Sequence, residues 1–444
     1  TVIPTVTGVL TAGTTFTIVG GLAGTNGATV TVLNTNPLYT FSSVPTTTGD
    51  VLITVESVSL GVPVADVVAG ALLGSPALVG SDVQAVQGAV LALPNAAAVT
   101  QALAQLAPSN TNLAAPWVAG QATRLMEDML QARVDEIQNM CCDTSCGAEK
   151  PQEDARKCKG DEQPSNWWAK TFGNSGSQDD VGNSYGYDTK TYGLVVAYDR
   201  PVSENTRVGL SAGYANSTID GNNSSAETTI DSYQLTSYVN YTPGPWYVQG
   251  ALTAGVDRYE GERQISFPGV NSVAKSDYDG QQYTALVSAG KHFYFDQNVT
   301  LTPFASLQTS LIQVDDYEER GAGGLNHRVD DQDYHLTQSG VGVKLERVIR
   351  SGAGTYSPEV HVKWMHDFSD TTTEQTAAFL NGGSEFTVEG IEQDRDLYNV
   401  GAGITFLSCN CDSGSWTVKG QYDYKWNDSD YSSNQLSLIA SLKY

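Results

Sequence analysis

The sequence predicts an all-β protein whose residues 166–444 close into an antiparallel transmembrane barrel of about twelve strands. Three observations predict it. First, side-chain character alternates. Trp416, Val418, Gly420, Tyr422, Tyr424 and Trp426 share one face, while Thr417, Lys419, Gln421, Asp423 and Lys425 share the other. Successive strand side chains point to opposite faces, so this is one apolar wall and one charged wall. Leu436, Leu438, Ala440, Leu442 and Tyr444 repeat the pattern against Ser437, Ile439, Ser441 and Lys443. Second, the connections alternate in length. Those at 201–205, 242–245, 296–298, 349–354 and 408–414 are short, and those at 173–184, 217–227, 261–275, 315–333 and 369–391 are long, acidic and polar. Short turns on one rim and long loops on the other suit an outer-membrane barrel, with the long loops outside. A soluble sandwich has no reason to sort its loops this way. Third, the chain holds 44 Gly and 22 Tyr with only 16% charged residues, which suits a β-rich wall with a Tyr-rich interface girdle.

At 444 residues the chain has room for about two or three domains. Its net charge of −25 argues against a nucleic-acid partner, which needs a basic footprint. No apolar run is long enough for a membrane-spanning helix. The nearest, residues 62–80, carries Pro63, Asp66 and Pro76 and reads as loop or short packed structure. With no initiator Met and no signal peptide, the expectation is a mature product or an excised part of a longer one. The six cysteines fall in two clusters, Cys141, Cys142, Cys146 and Cys158, then Cys409 and Cys411. No His lies near any of them, so disulfides are preferred over zinc.

Residues 1–80 read as β-rich, with β-branched runs at 14–19, 28–33 and 51–58 broken by Gly20, Gly21 and Asn34. Residues 81–110 change character. Val83, Val86, Val90 and Leu91, then Val99, Leu103 and Leu106, recur at helical spacing, and Pro94 and Pro108 break the run into two short amphipathic helices. Residues 111–140 hold the best helix, read from Leu113 to Met140 with Pro116 near its start. Met126, Met129, Leu130, Val134 and Ile137 form one stripe among Arg124, Glu127, Asp128, Arg133, Asp135 and Glu136. At about 1.5 Å per residue it is roughly 36–40 Å long, enough to thread a barrel. Residues 141–165 read as a charged, Cys-containing linker. Strands are expected to start near Trp167, Tyr187, Thr206, Thr229, Trp246, Ser276, Val299, Tyr334, Thr355, Glu392, Ser415 and Tyr431. The chain then ends on the short-turn rim, and a helix feeding the first strand arrives at that same rim. Both cysteine clusters are expected at that height. Disulfides there would tie the linker to the barrel wall, with connectivity left open.

These residues resemble the translocator region of monomeric (type Va) autotransporters over about 102–444. The resemblance rests on Ala102-Leu103-Ala104-Gln105-Leu106-Ala107-Pro108 before a long helix and on Trp168-Ala169-Lys170-Thr171-Phe172-Gly173 opening the barrel. Tyr192-Gly193-Leu194, Gly209-Leu210-Ser211-Ala212-Gly213-Tyr214, Trp364-Met365-His366-Asp367-Phe368 and the terminal aromatic extend it. The resemblance implies a twelve-stranded barrel with an α-helix in its lumen, preceded by a short β-rich passenger stem. It implies anchoring in the bacterial outer membrane and export of the chain's own N-terminal passenger to the cell surface, with adhesion the commoner passenger activity. Outer-membrane lipid, the barrel-assembly machinery and periplasmic chaperones are the implied partners. Leu438, Ala440, Leu442 and Tyr444 match the family's assembly signal, although that signal more often ends in Phe or Trp. The linker cysteines depart from the family pattern.

No enzyme, metal or cofactor is expected. There is no His before His292, which excludes a His-based triad in the N-terminal half. His361 is read on the lumen face beside Glu359 and Lys363, with His366 on the opposite face, so the two cannot share a metal. Asp315 to Glu319 lacks the glycine and distal glutamate of a calcium loop and reads as solvated loop. There is no Walker, HExxH or GxSxG arrangement. Some members of the family cut their passenger through a helix Asn. Here Asn110, Asn112 and Asn139 all lie away from mid-helix, which reads against that route. Two other classes remain as alternatives. A porin-like channel requires an empty lumen, and a soluble secreted β-rich adhesin or esterase requires its outward faces to be buried elsewhere.

Overall fold

The computed structural model describes residues 2, 4, 6, 9–10, 13–19, 31–33, 37–45, 51–57, 60–74, 79–139, 166–182, 184–223, 225–295, 298–351, 354–369, 372–408 and 416–443. A small antiparallel sheet comes first, from β1 Thr15–Val19, β2 Tyr39–Pro45 and β3 Val51–Ser57, in the order β1-β3-β2. Four helices follow: α1 Pro63–Leu73, α2 Asp82–Leu91, α3 Ala96–Gln105 and α4 Asn110–Asn139. Their starts are written in the sequence. Pro63 opens α1, where its missing N–H is no loss. The side chains of Ser81 and Asn95 accept bonds from Gln84 N and Ala98 N at 3.2 and 2.9 Å and cap α2 and α3.

The barrel strands are β4 Asn166–Gln178, β5 Tyr187–Ser203, β6 Thr206–Gly221, β7 Ala226–Tyr241, β8 Trp246–Phe267 and β9 Val270–Lys291. After the short β10 Phe293–Phe295 comes β11 Val299–Val314. Beyond it, β12 Tyr317–Glu318 and β13 His327–Val329 rise from the outer rim before β14 Gln332–Arg347 returns. Then follow β15 Ile349–Ser351, β16 Gly354–Asp367, β17 Glu374–Phe379, β18 Phe386–Glu389, β19 Asp396–Ser408, β20 Trp416–Trp426 and β21 Tyr431–Lys443. Leaving out β10, β12, β13, β15, β17 and β18, twelve antiparallel strands pair neighbour to neighbour. β9 meets β11, and β21 meets β4 from Tyr431 opposite Gln178 to Lys443 opposite Asn166. Closure leaves no unpaired edge facing outward, the condition for sheet backbone to sit in lipid.

The outer face is apolar. Leu210, Leu235, Leu252, Val341, Val360, Ile404, Leu436 and Leu438 are exposed along it. Aromatics mark both borders: Trp167, Tyr198, Tyr241, Trp246 and Trp416 on the short-turn side, Tyr192, Tyr214, Tyr233, Tyr283 and Trp364 on the other. From Trp416 to Trp426 is roughly 33 Å along the strand at about 3.3 Å per residue. A tilt of about 45° reduces that to roughly 23 Å, the height of an outer-membrane apolar band.

Several expectations change outside the membrane. Residues 261–275 are not a loop: β8 and β9 continue as one long hairpin with Gly269 at its turn, in the left-handed region at φ 89°. Ser276 is therefore mid-strand, and the strand begins at Val270. Residues 173–178 and 217–221 are likewise strand. Above the membrane the outward face meets water instead of lipid, so its residues turn polar and the apolar alternation fades. Segments 315–333 and 369–391 fold into a second sheet in the order β12-β13-β17-β18. In the run 315–319, Tyr317 and Glu319 are buried. Residues 62–80 contain helix α1, so helical structure begins inside the region read as β-rich. Pro116 lies inside α4, which starts at Asn110, and leaves the Asn112 carbonyl without its helical donor. The six cysteines and Tyr444 lie outside the described residues.

Helices α1–α3 and the outer sheet share one core. Val68, Leu72, Val86, Val90, Val99, Leu103 and Leu106 pack with Tyr317, Leu325, Val329, Phe379, Phe386 and Val388. This outer cap sits over the mouth from which α4 descends.

Candidate functional site

The site is the lumen and the helix inside it. α4 enters at the outer mouth. There the Thr228 hydroxyl on β7 donates to Asn112 Oδ1 at 2.7 Å and lies 2.8 Å from the Thr111 hydroxyl, and Asn112 donates to the Tyr317 hydroxyl at 3.3 Å. Trp117 meets Tyr431 edge to face, with ring centroids 5.0 Å apart. Deeper in, a Cβ at Gly120 would lie 2.7 Å from the end of the Leu336 side chain on β14, which would have to shift to admit it. Asn112, with its bonds to Thr228, Tyr317 and Ser276, is thus at the rim and not at mid-lumen.

In its lower half the helix leans on one side of the wall. Ala122, Leu125, Met126 and Leu130 pack with Phe172, Val195, Ala197, Ala215, Tyr238 and Ala251. Lys170 on β4 donates to the Leu125 carbonyl at 2.9 Å, and Thr253 on β8 donates to Glu127 at 2.7 Å. Gln234 donates to Thr123. The charged face turns the other way. Arg124 meets Asp367 on β16 at 3.7 Å, and Lys425 on β20 meets Asp128 at 3.5 Å. Between that face and strands β11, β14, β16, β19 and β20 lies a cavity of about 120 Å3.

Other inward groups pair along the wall. Lys419 binds Glu359 at 2.6 Å, His361 Nε2 meets Asp423 at 2.8 Å, and Arg207 binds Asp199 near the short-turn rim at 2.6 Å. Among the described residues no cluster of His, Cys, Asp or Glu is arranged to hold a metal ion. His361 faces the lumen and His366 faces outward, bonded to Asp396 at 2.8 Å. The alternation of Lys419, Asp423 and Lys425 announced the charged wall. Lys170, Thr253 and Asp367 as partners of the helix had no such signal, because their partners lie 45, 126 and 243 positions away. Of the candidate assembly residues, Leu438, Ala440 and Leu442 face outward and are exposed.

A closed barrel with an apolar exterior and a polar lumen filled by its own chain defines an outer-membrane translocator. A porin would hold its lumen open, and a soluble adhesin would bury the outer wall. The family model described as "Autotransporter beta-domain" matches residues 167–410, more than half of the 444 residues. The chain belongs to that family. It is the translocator of an autotransporter, set in the bacterial outer membrane and exporting a passenger to the cell surface. It is similar to Esterase EstA of Pseudomonas aeruginosa, 24% identical over 262 residues that cover 58% of this chain and 39% of that protein. It is also similar to an extracellular serine protease of Serratia marcescens, 24% identical over 237 residues covering 53% of this chain and 22% of that one. The chain thus spans two fifths or less of the length of these relatives. Among solved structures, the translocator domain of autotransporter NalP from Neisseria meningitidis shares the fold. Its TM-score is 0.51 at 16% identity, covering 73% of this chain and 98% of that one.

Proposed function

We propose that residues 1–110 are the membrane-proximal end of a surface passenger whose activity is adhesion, and that the barrel keeps this end fixed on the cell. The observation that carries this reading is the path of the chain. It passes from the outer cap, through the mouth at Asn112, down the lumen on α4 toward the short-turn rim where β4 begins. Residues 141–165 are then the periplasmic linker, and disulfides among its cysteines and Cys409 and Cys411 would tie it to the barrel. Leu438, Ala440 and Leu442, with Tyr444, serve as the signal read by the barrel-assembly machinery, and periplasmic chaperones hold the chain before insertion. The chain itself is not an enzyme. The names of the esterase and protease relatives favour a second reading, an enzymatic passenger. Residues 1–110 contain no His and no Lys or Arg, so this stretch does not itself carry a hydrolase centre built on them. Attachment of cells displaying the chain, compared with cells displaying it without residues 1–107, tests adhesion. Loss of attachment at equal surface display is expected. Equal attachment of both strains, or ester or peptide hydrolysis by the displayed chain, contradicts it.

A further inference from the structure

We propose that the cavity beside α4 is a binding site for one small inorganic anion, held by Arg124, Lys363 and Gln308. At about 120 Å3 the cavity exceeds by severalfold the roughly 10–15 Å3 needed to admit one water. It is therefore large enough for a halide or a phosphate. Three of its four carboxylates are ion-paired. Glu359 is on Lys419, Asp128 on Lys425 and Asp423 on His361, while Glu127 accepts from Thr253 of β8 through Oε1 and keeps Oε2 without a partner among the described residues.

The donors are less well served. Arg124 is 8% exposed, lines the cavity, and its Nε has no hydrogen-bond partner among the described residues. Its contact to Asp367 is a single long one of 3.7 Å. The buried Gln308 Nε2 on β11 also lacks an acceptor. Lys363 lines the same cavity and, among the described residues, has no ion partner within 4 Å. The wall is shaped to admit its side chain. A Cβ at Gly340 would stand 2.6 Å from Lys363 Cε and 2.7 Å from Ser306 Oγ, so glycine on β14 lets the lysine lie across that strand toward β11. Ser306 pairs with Gly340 and sits two residues from Gln308. Two cations and an amide N–H, from the helix, β16 and β11, thus line one cavity. Arg124 has Asp367 only at long range and Lys363 shares Asp128 and Asp423 with Lys425 and His361, so an anion here would add the counter-charge that two enclosed cations hold only in part. Hydrogen bonds from charged donors are also the stronger kind.

The test is bromide. Crystals of the full chain in detergent, soaked in bromide, are expected to show an anomalous peak in the cavity within bonding reach of Lys363 and Arg124. In Lys363→Met that peak is lost while peaks elsewhere persist. A second readout covers poor crystals: replacing chloride by gluconate is expected to lower the melting temperature of the parent and to leave that of Lys363→Met unmoved. A mobility shift on boiling confirms that the variant is folded. A cavity without bromide, a cavity peak that survives Lys363→Met, or equal melting shifts in both proteins would overturn the proposal.

Discussion

Arg263, near the outer end of β8, forms a two-pronged buried ion pair with Glu319, just past β12: Nε to Oε1 is 3.2 Å and Nη2 to Oε2 is 2.5 Å. The same guanidinium donates to the Gln105 carbonyl at the end of α3, at 2.8 Å. One residue of the long hairpin therefore joins the outer sheet to the helices above the mouth. Removing Glu319 by alanine leaves that cation buried and unmatched, a loss of about 3–5 kcal/mol. Protease is expected to release residues 60–107 from Glu319→Ala while the barrel still shifts on boiling.

Acid should loosen the same joint. Arg263 and the neighbouring His327 hold the Glu319 carboxylate below its ordinary range despite burial. Burial, aided by Arg263, pushes His327 down to about 3. Unfolding lets His327 take a proton anywhere between its ordinary value near 6.5 and about 3, so stability falls as the pH drops through that window. Glu319 adds a further loss below its ordinary range near 4.5, as the pH falls toward its folded value. The cap is expected to become protease-sensitive between about pH 6 and 3. A cap equally resistant at pH 7 and pH 4 contradicts this.

Leu103 of α3 is wholly buried in the cap core. Leu103→Ala is expected to cost about 2–5 kcal/mol, read as a lower melting point for the cap with the barrel transition unmoved. A shift of both transitions together would mean that cap and barrel unfold as one unit.

Phe172 lies across Gly193 on the neighbouring strand, where a Cβ would sit 2.1 Å from the ring. Gly193→Val is expected to lose about 1–3 kcal/mol from the barrel, measured as a lower urea midpoint for loss of the compact gel band.

Leu438 faces lipid near mid-height of the last strand, opposite Gly420 and Thr171. Arginine there should cost about 2–4 kcal/mol and reduce the amount of folded protein in the outer-membrane fraction. Arginine at Leu442, opposite Trp416 at the short-turn border, should cost less.

The barrel was legible because two solvents enforce its pattern. Lipid outside and a polar lumen inside fix the parity of Trp416 to Trp426, and the strand starts near Tyr187, Thr206, Trp246 and Tyr431 follow from it. Above the membrane one of those constraints disappears. Strands β8 and β9 run on through Glu260, Glu262 and Asp277 with water on their outer face, and the same polarity reads as loop. The sheet of β12, β13, β17 and β18 is assembled from two segments about fifty residues apart, which no local period reveals. Arg263 and Glu319 are joined only by the fold. In the lumen, the charged parity of β20 was visible, but the choice of Asp128 for Lys425 was not.

Protease shaving of intact cells tests the central claim most directly, using one epitope tag in the turn between α2 and α3 near residues 93–95 and a second in residues 409–415. The account predicts that the first tag is lost and the second survives, on a fragment that still shifts on boiling. Survival of the first tag with loss of the second would place the cap inside the cell and contradict it.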